Sequence, residues 1–340
     1  MKKIIAVCIT VVLLLTTTLA FATDAPAPVL NARSATTYIT VENPEFGASG
    51  SGFMIGDTDT VEYVVTNHHV VEGTGNVFTV FYGHYTPVNA TIAIDLPVID
   101  LCVLKLDTPI KDAQPLTLYD GDPTKLVGSG VYALGFPGVA DDLFSRSDSV
   151  INDVTMTDGI ISAVKASNSF GTGERPITAL QMNVSINHGN SGGPLINSYG
   201  QVVGINTIKM SSGYNSIEGL GFALPTSAIA YMVDDLIAYG ELKPEPVLGI
   251  SVSHIAELLP DGSSGVRVYE VTPGSGAEKA GIRVDDVIVQ AGDFPIRSSA
   301  ELLRARRPFG IGEHLPLRIY RDGKYLSLSV TLTAVPDENA

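Results

Sequence analysis

From Ser34 to Leu224 the chain is a succession of short β-branched runs broken by Gly, Asp, Asn and Pro; Glu62–Thr66, Val77–Tyr82, Leu101–Leu106, Gly130–Leu134 and Val202–Asn206 are examples. Such runs are strand-length, and no helical segments alternate with them as βαβ units would require. The pattern predicts an all-β barrel or sandwich. With 34 glycines, 20 prolines and only 17% charged residues, the composition agrees, because short strands need many turns.

The periodicity changes at Pro225. Ala228, Ile229, Met232, Val233, Leu236 and Ile237 recur at helical spacing, while Asp234 and Asp235 leave the other face wet. Gly240 is the expected helix end, and Leu242–Pro246 reads as a stiff linker between domains. Beyond it, Val266–Val271 and Asp286–Gln290 read as strands. Ser275–Ala280 starts a helical turn closed by Gly281. Ser299–Arg306 is a helix with Ser298 or Ser299 as N-cap, and Leu315–Tyr320 pairs with Leu326–Thr333 across the Arg321–Lys324 turn. The expected divisions are 1–22, 23–35, 36–225, 226–246 and 247–334.

The first of these divisions carries Lys2 and Lys3 before an apolar run, Ile4 to Ala22, that closes on Ala20-Phe21-Ala22. That is the layout of a secretory signal cleaved after Ala22. An uncleaved anchor is the alternative, since the run is nearly long enough to span a bilayer, although Thr16 to Thr18 weaken it. Residues 23–35 read as a flexible leader. The protein is thus expected outside the cytoplasm, periplasmic or extracellular, or held on the outer face of the inner membrane if the anchor is kept. Cys8 lies in the signal and Cys102 in an apolar strand, so no intramolecular disulfide is expected after cleavage. Cys102 reads as a buried filler. A net charge of −15 argues against nucleic acid as a partner.

Three motifs carry chemistry. Val64-Val65-Thr66-Asn67-His68-His69-Val70-Val71 runs from a strand into a turn, and Asp100 opens the apolar strand Leu101–Lys105. Asn187-His188-Gly189-Asn190-Ser191-Gly192-Gly193-Pro194-Leu195 is a glycine-rich loop around one serine. A serine hydroxyl needs a base to take its proton, and an imidazole serves near neutral pH. An acid must then hold the imidazole's tautomer. His69, Asp100 and Ser191 are the candidates, in the chain order of the chymotrypsin-like arrangement. A bend-prone loop can aim successive amides at one point, so Gly189, Asn190 and Ser191 form the candidate oxyanion hole, with the amides of Gly189 and Ser191 its natural pair. No Cys or His cluster has metal-ligand spacing, and no phosphate-binding loop appears. Neither a metal nor a cofactor is expected.

These motifs, with Gly50-Ser51-Gly52-Phe53, Ala133-Leu134-Gly135-Phe136-Pro137 and Gly219–Pro225, resemble those of the HtrA (DegP/DegS-like) serine proteases over nearly all of the mature length. The resemblance implies a mainly β protein. A chymotrypsin-like double β-barrel, the trypsin-like protease domain, would carry its triad in the cleft and be followed by an α+β PDZ domain. It makes His69, not His68, the base, and Asp100, not Asp95 or Asp107, the acid. It sets Ile186 at the base of the specificity pocket, where an apolar residue favours aliphatic side chains, with Ile205 and Asn206 also substrate-binding. Met182-Asn183-Val184-Ser185-Ile186 departs from the family's Thr-Asp-Ala-Ala-Ile, so the contact of the replaced acid is expected to be altered or lost. No Arg-Ile-Val-Gly-Gly-like activation site follows the leader.

Val247-Leu248-Gly249-Ile250 resembles the carboxylate-binding loop of an HtrA-type PDZ domain, and Val271–Ile282 with Asp285–Ile288 resembles its signature stretch. Such a domain takes a peptide C-terminus as an added strand. Leu248, Gly249 and Ile250 are therefore candidate peptide-binding residues. The resemblance to single-PDZ members of the family implies a homotrimer, for which Tyr38 and Phe46 are the available contacts. The reading that follows is an ATP-independent endopeptidase acting on unfolded, damaged or tagged exported polypeptides. A PDZ-based chaperone or stress sensor with little proteolysis, and a membrane-anchored regulatory protease with one substrate, stay open as alternatives.

Overall fold

In this computed structural model, residues 25–43, 47–57, 60–73, 76–137, 147–167, 177–207, 220–242, 246–253 and 257–334 are described. The signal at 1–22 and Phe46 lie outside them. The chain enters through α1 (Ala27–Ala32), which follows Pro26. Val29 and Ala32, one helical turn apart, are buried with Tyr38, Leu134, Phe136 and Ile196. The expected flexible leader is thus ordered from Ala27 onward, because a single apolar stripe finds a groove to fill.

Six strands form the first closed barrel: β1 (Thr36–Glu42), β2 (Gly47–Asp57), β3 (Thr60–Thr66), β4 (Val77–Tyr82), β5 (Thr86–Leu96) and β6 (Leu101–Lys111). The helical turn α2 (His68–Val71) leaves the end of β3. The second barrel repeats the plan with β7 (Gly130–Gly135), β8 (Thr155–Ser167), β9 (Ile177–Met182), β10 (Pro194–Asn197), β11 (Val202–Thr207) and β12 (Gly221–Pro225). In each, two three-stranded antiparallel units join edge to edge, β3 to β6 and β1 to β4, then β9 to β12 and β7 to β10.

The seam between the barrels explains why several runs are apolar on consecutive residues. Met54, Val64 and Leu104 point into the first barrel. Their neighbours Phe53, Val65 and Val103 point the other way, against Val202, Ile205 and Leu224 of the second barrel. A strand buried on both faces cannot alternate. The helix α3 (Ala230–Tyr239) covers this seam with Val233 and Leu236, and Gly240 ends it at φ +73°.

The C-terminal domain is a seven-stranded sheet. Its strands are β13 (Ile250–Val252), β14 (Glu257–Leu258), β15 (Ser264–Val271), β16 (Val287–Ala291), β17 (Phe294–Pro295), β18 (His314–Arg321) and β19 (Lys324–Thr331). A bridge between Val247 and Thr333 ties its two ends together. The helix α4 (Ser299–Arg306) starts at Ser298, whose side chain accepts from the Glu301 amide, so Ser298 is the cap. This end of the domain meets the barrels: Arg304 lies 3.9 Å from Asp120 and the Arg307 guanidinium sits over the Tyr231 ring. Among the described residues no helix is long and apolar enough to cross a membrane.

Candidate active site

The site grows out of the seam. Strand β3 ends at buried Thr66 and Asn67, and α2 then presents two adjacent histidines. A helical turn separates neighbouring side chains by about 100°. They accordingly diverge to different acids: His68 Nδ1 lies 2.7 Å from Asp95 on β5, and His69 Nδ1 lies 2.9 Å from both carboxylate oxygens of Asp100.

Asp100 follows a single turn of 3₁₀ helix, Pro97–Ile99, and takes φ +56° and ψ +40°. Left-handed backbone costs a non-glycine residue about 1 kcal/mol, least for Asp and Asn. Here it turns the side chain back toward α2, while Asn67 Nδ2 holds the Asp100 carbonyl at 2.9 Å. Only 1% of Asp100 is exposed. Its carboxylate accepts from the His69 ring, from the His69 amide at 3.1 Å and from Thr207 Oγ1 at 2.8 Å. Burial by itself would push this carboxyl up; the hydrogen bond and charge of the His69 ring, then the His69 amide and the Thr207 hydroxyl, outweigh it and hold the group below the usual carboxylate range.

Ser191 stands in the loop between β9 and β10, itself buried. The Asn190 amide donates to Asn187 O at 3.0 Å and Gly189 takes φ +100°, so 187–190 is a turn of the kind that demands glycine at its third position. Gly192, at φ +83°, brings the loop against the corner that launches α2. A Cβ there would lie 2.2 Å from Ser51 O and Thr66 Oγ1, and 3.1 Å from the Asn67 nitrogen. Behind the loop, β11 clamps it through Gly192 N to Asn206 O and Asn206 N to Gly193 O. The Gly189 amide donates to none of the described residues. The arrangement pairs an imidazole with a buried carboxylate and sets a backbone donor and a buried serine in the adjoining loop, the parts that proton transfer and oxyanion binding require.

A trypsin-like peptidase domain family matches residues 50–205 and a PDZ domain family matches residues 246–332. The chain is 34% identical over 321 residues to serine protease Do-like HtrB of Bacillus subtilis, covering 86% of this chain and 66% of that protein. It is 33% identical over 308 residues to serine protease Do-like HtrA of Lactococcus lactis subsp. cremoris, covering 85% and 72%. The chain belongs to the HtrA family of serine proteases. It resembles a solved serine endoprotease from Yersinia pestis with a TM-score of 0.51 and 26% identity, over 91% of this chain and 97% of that one. The chain spans just under two thirds of the length of the Bacillus relative.

Within this HtrA-family chain the other sequence-predicted residues land unequally. Ile186 is half-buried and packs closely beside Gly221 of β12, where an added Cβ would stand 3.1 Å from Ile186 Cγ1. Ile205 is fully buried in the seam with Phe53 and Leu101. Asn206 is also fully buried, and its Nδ2 donates to Pro194 O at 3.2 Å. Its side chain braces the loop that carries Ser191. The Asn190 amide is spent on Asn187 O. Asn183 Oδ1 accepts from the Ile160 amide at 2.7 Å, an acceptor role that a carboxylate would also fill. His188 is exposed in its loop. Tyr38 is buried against Phe81 and Phe136 and is no free contact for a second subunit.

In the PDZ domain, Gly249 takes φ +79°, and the carbonyls of Leu248 and Gly249 accept from Ala277 and Thr272 at 3.0 and 2.8 Å. The amides of Leu248 and Gly249 donate to none of the described residues. The Leu248 side chain is core, whereas Ile250 lies on β13, an edge strand of the sheet. Cys102 is buried; burial, and then the charge of Asp95, push its thiol up, as befits an inert filler. Among the described residues no cluster of His, Cys, Asp or Glu could hold a metal.

Proposed function

We propose that this chain is an ATP-independent serine endopeptidase that cuts unfolded, damaged or tagged exported polypeptides through an acyl-enzyme on Ser191. His69 takes the Ser191 proton and returns it to the leaving amine. Asp100 fixes the His69 tautomer and stabilises the imidazolium. The amides of Gly189 and Ser191 bind the oxyanion, and Ile186 floors a pocket for aliphatic side chains. The observation that carries this reading is the convergence of the His69 ring and amide on one buried carboxylate, beside the glycine-clamped Ser191 loop.

The PDZ domain captures peptide C-termini on the Leu248 and Gly249 amides, with the peptide adding as a strand to β13. The signal at residues 1–22 directs the chain out of the cytoplasm, and the working assembly is a homotrimer. Degradation of reduced casein without ATP, by the mature chain and by Ser191→Ala, tests the reading. Loss of the nucleophile is expected to cost on the order of a million-fold. Equal turnover by both proteins would overturn it. Silence from both, even with C-terminal peptides added, would leave peptide binding as the function.

A further inference from the structure

Ser51, in the middle of β2, is remote in sequence from the Ser191 loop and fully buried. Yet the nucleophile loop is fastened to it at two points. Its main-chain N–H donates to Ser191 O at 3.0 Å, and its hydroxyl donates to Gly189 O at 2.5 Å. These are the two residues whose amides would bind the oxyanion. The rest of Ser51 is anchored to the scaffold: Oγ accepts from the Phe136 amide at 3.0 Å, and its carbonyl accepts from Thr66 Oγ1 at 2.8 Å. A hydroxyl has one proton to give. With Phe136 N–H occupying one lone pair, that proton is committed to Gly189.

The geometry points to Ser51 as a positioning residue of the oxyanion hole, setting the spacing and direction of the Gly189 and Ser191 amides through their carbonyls. This rests on the hydrolase reading above. The turn at 187–190 is closed by its own Asn190 to Asn187 bond, which fixes the turn's shape but not its place on the barrel. The Ser51 hydroxyl joins the Gly189 side of that turn to β2 and to the end of β7. Without it, the Ser191 side stays held by the Ser51 amide, and by the Gly192 to Asn206 bond, while the Gly189 side can swing. Preorganised donors lose their effect when they swing, because the developing charge must then reorient them.

The test is Ser51→Ala, with Ser51→Cys as a variant of nearly the same volume that keeps a weak donor. On casein, Ser51→Ala is expected to lower kcat about 10- to 100-fold with KM little changed, since losing a whole oxyanion donor costs about 100- to 1,000-fold. Affinity for a peptide boronate, whose tetrahedral adduct puts an oxygen in the hole, should fall in the same proportion. Binding of an unreactive peptide of the same sequence should not fall. Ser51→Cys should recover part of both losses. Melting curves confirm that each variant is folded at the assay temperature. An active wild type matched by Ser51→Ala in kcat and boronate affinity would overturn the proposal and leave the hydrolase reading intact. Equal losses for boronate and unreactive peptide would likewise assign Ser51 to general structure. A wild type that neither cleaves nor takes the boronate would overturn both.

Discussion

Replacing Thr207 by valine preserves side-chain shape and removes one hydroxyl, the one that donates to Asp100 Oδ2 at 2.8 Å in a fully buried setting. A hydrogen bond to a charged group is worth about 1.5–3 kcal/mol. Two donors from His69 remain on the carboxylate, its ring at 2.9 Å and its amide at 3.1 Å, so the histidine stays in reach. The lower end of the range applies, and about 1.5 kcal/mol corresponds to roughly a tenfold fall in kcat/KM. The pH dependence carries a second signature. Asp100 is held below the usual carboxylate range, so its contribution is present above the unfolded value and is lost as pH falls through the folded one. Removing one of the donors that lowers it moves that loss to higher pH. The assays are kcat/KM on a peptide substrate at neutral pH and thermal melts across the acid range. A folded Thr207→Val protein with unchanged kcat/KM and an unshifted loss of stability in acid would refute the idea that the third donor matters.

Other substitutions probe the remaining parts. Gly192→Ala should abolish casein turnover and lower the melting temperature, because the new Cβ would lie 2.2 Å from Ser51 O at a φ of +83°. Ile186→Asp should weaken cleavage after aliphatic residues and admit Lys or Arg, a shift of about 10- to 200-fold read from a peptide library. Arg321→Ala strips the buried Asp286 carboxylate of two hydrogen bonds of 2.6 Å. Leaving such a charge unpaired costs about 3–5 kcal/mol, so calorimetry should show the PDZ domain melting earlier while short-peptide cleavage by the barrels persists.

Much of the architecture was legible because its signals are local. The run Val77–Tyr82 is β4 residue for residue, and Ser299–Arg306 is α4, since strand and helix patterns and a serine cap are properties of neighbouring residues. The leader was misread because Val29 and Ala32 make too small a stripe to signal a helix until a groove receives them. On β11 every residue from Val202 to Thr207 is buried, Val202 and Ile205 in the seam and Val203 in the core of the second barrel. Alternation therefore cannot say which of its side chains face a ligand.

The order His69, Asp100, Ser191 and the glycines around the serine are written in the chain by themselves, because nucleophile, base and oxyanion donors need those residue types. The pairings were not. That His69 meets Asp100 while His68 meets Asp95 depends on the phase of one helical turn and on a left-handed Asp100. That Ser51 holds Gly189, 138 positions away, depends on two barrels meeting at a common seam. Contacts of that range are set by packing, and only the folded chain brings their partners within reach.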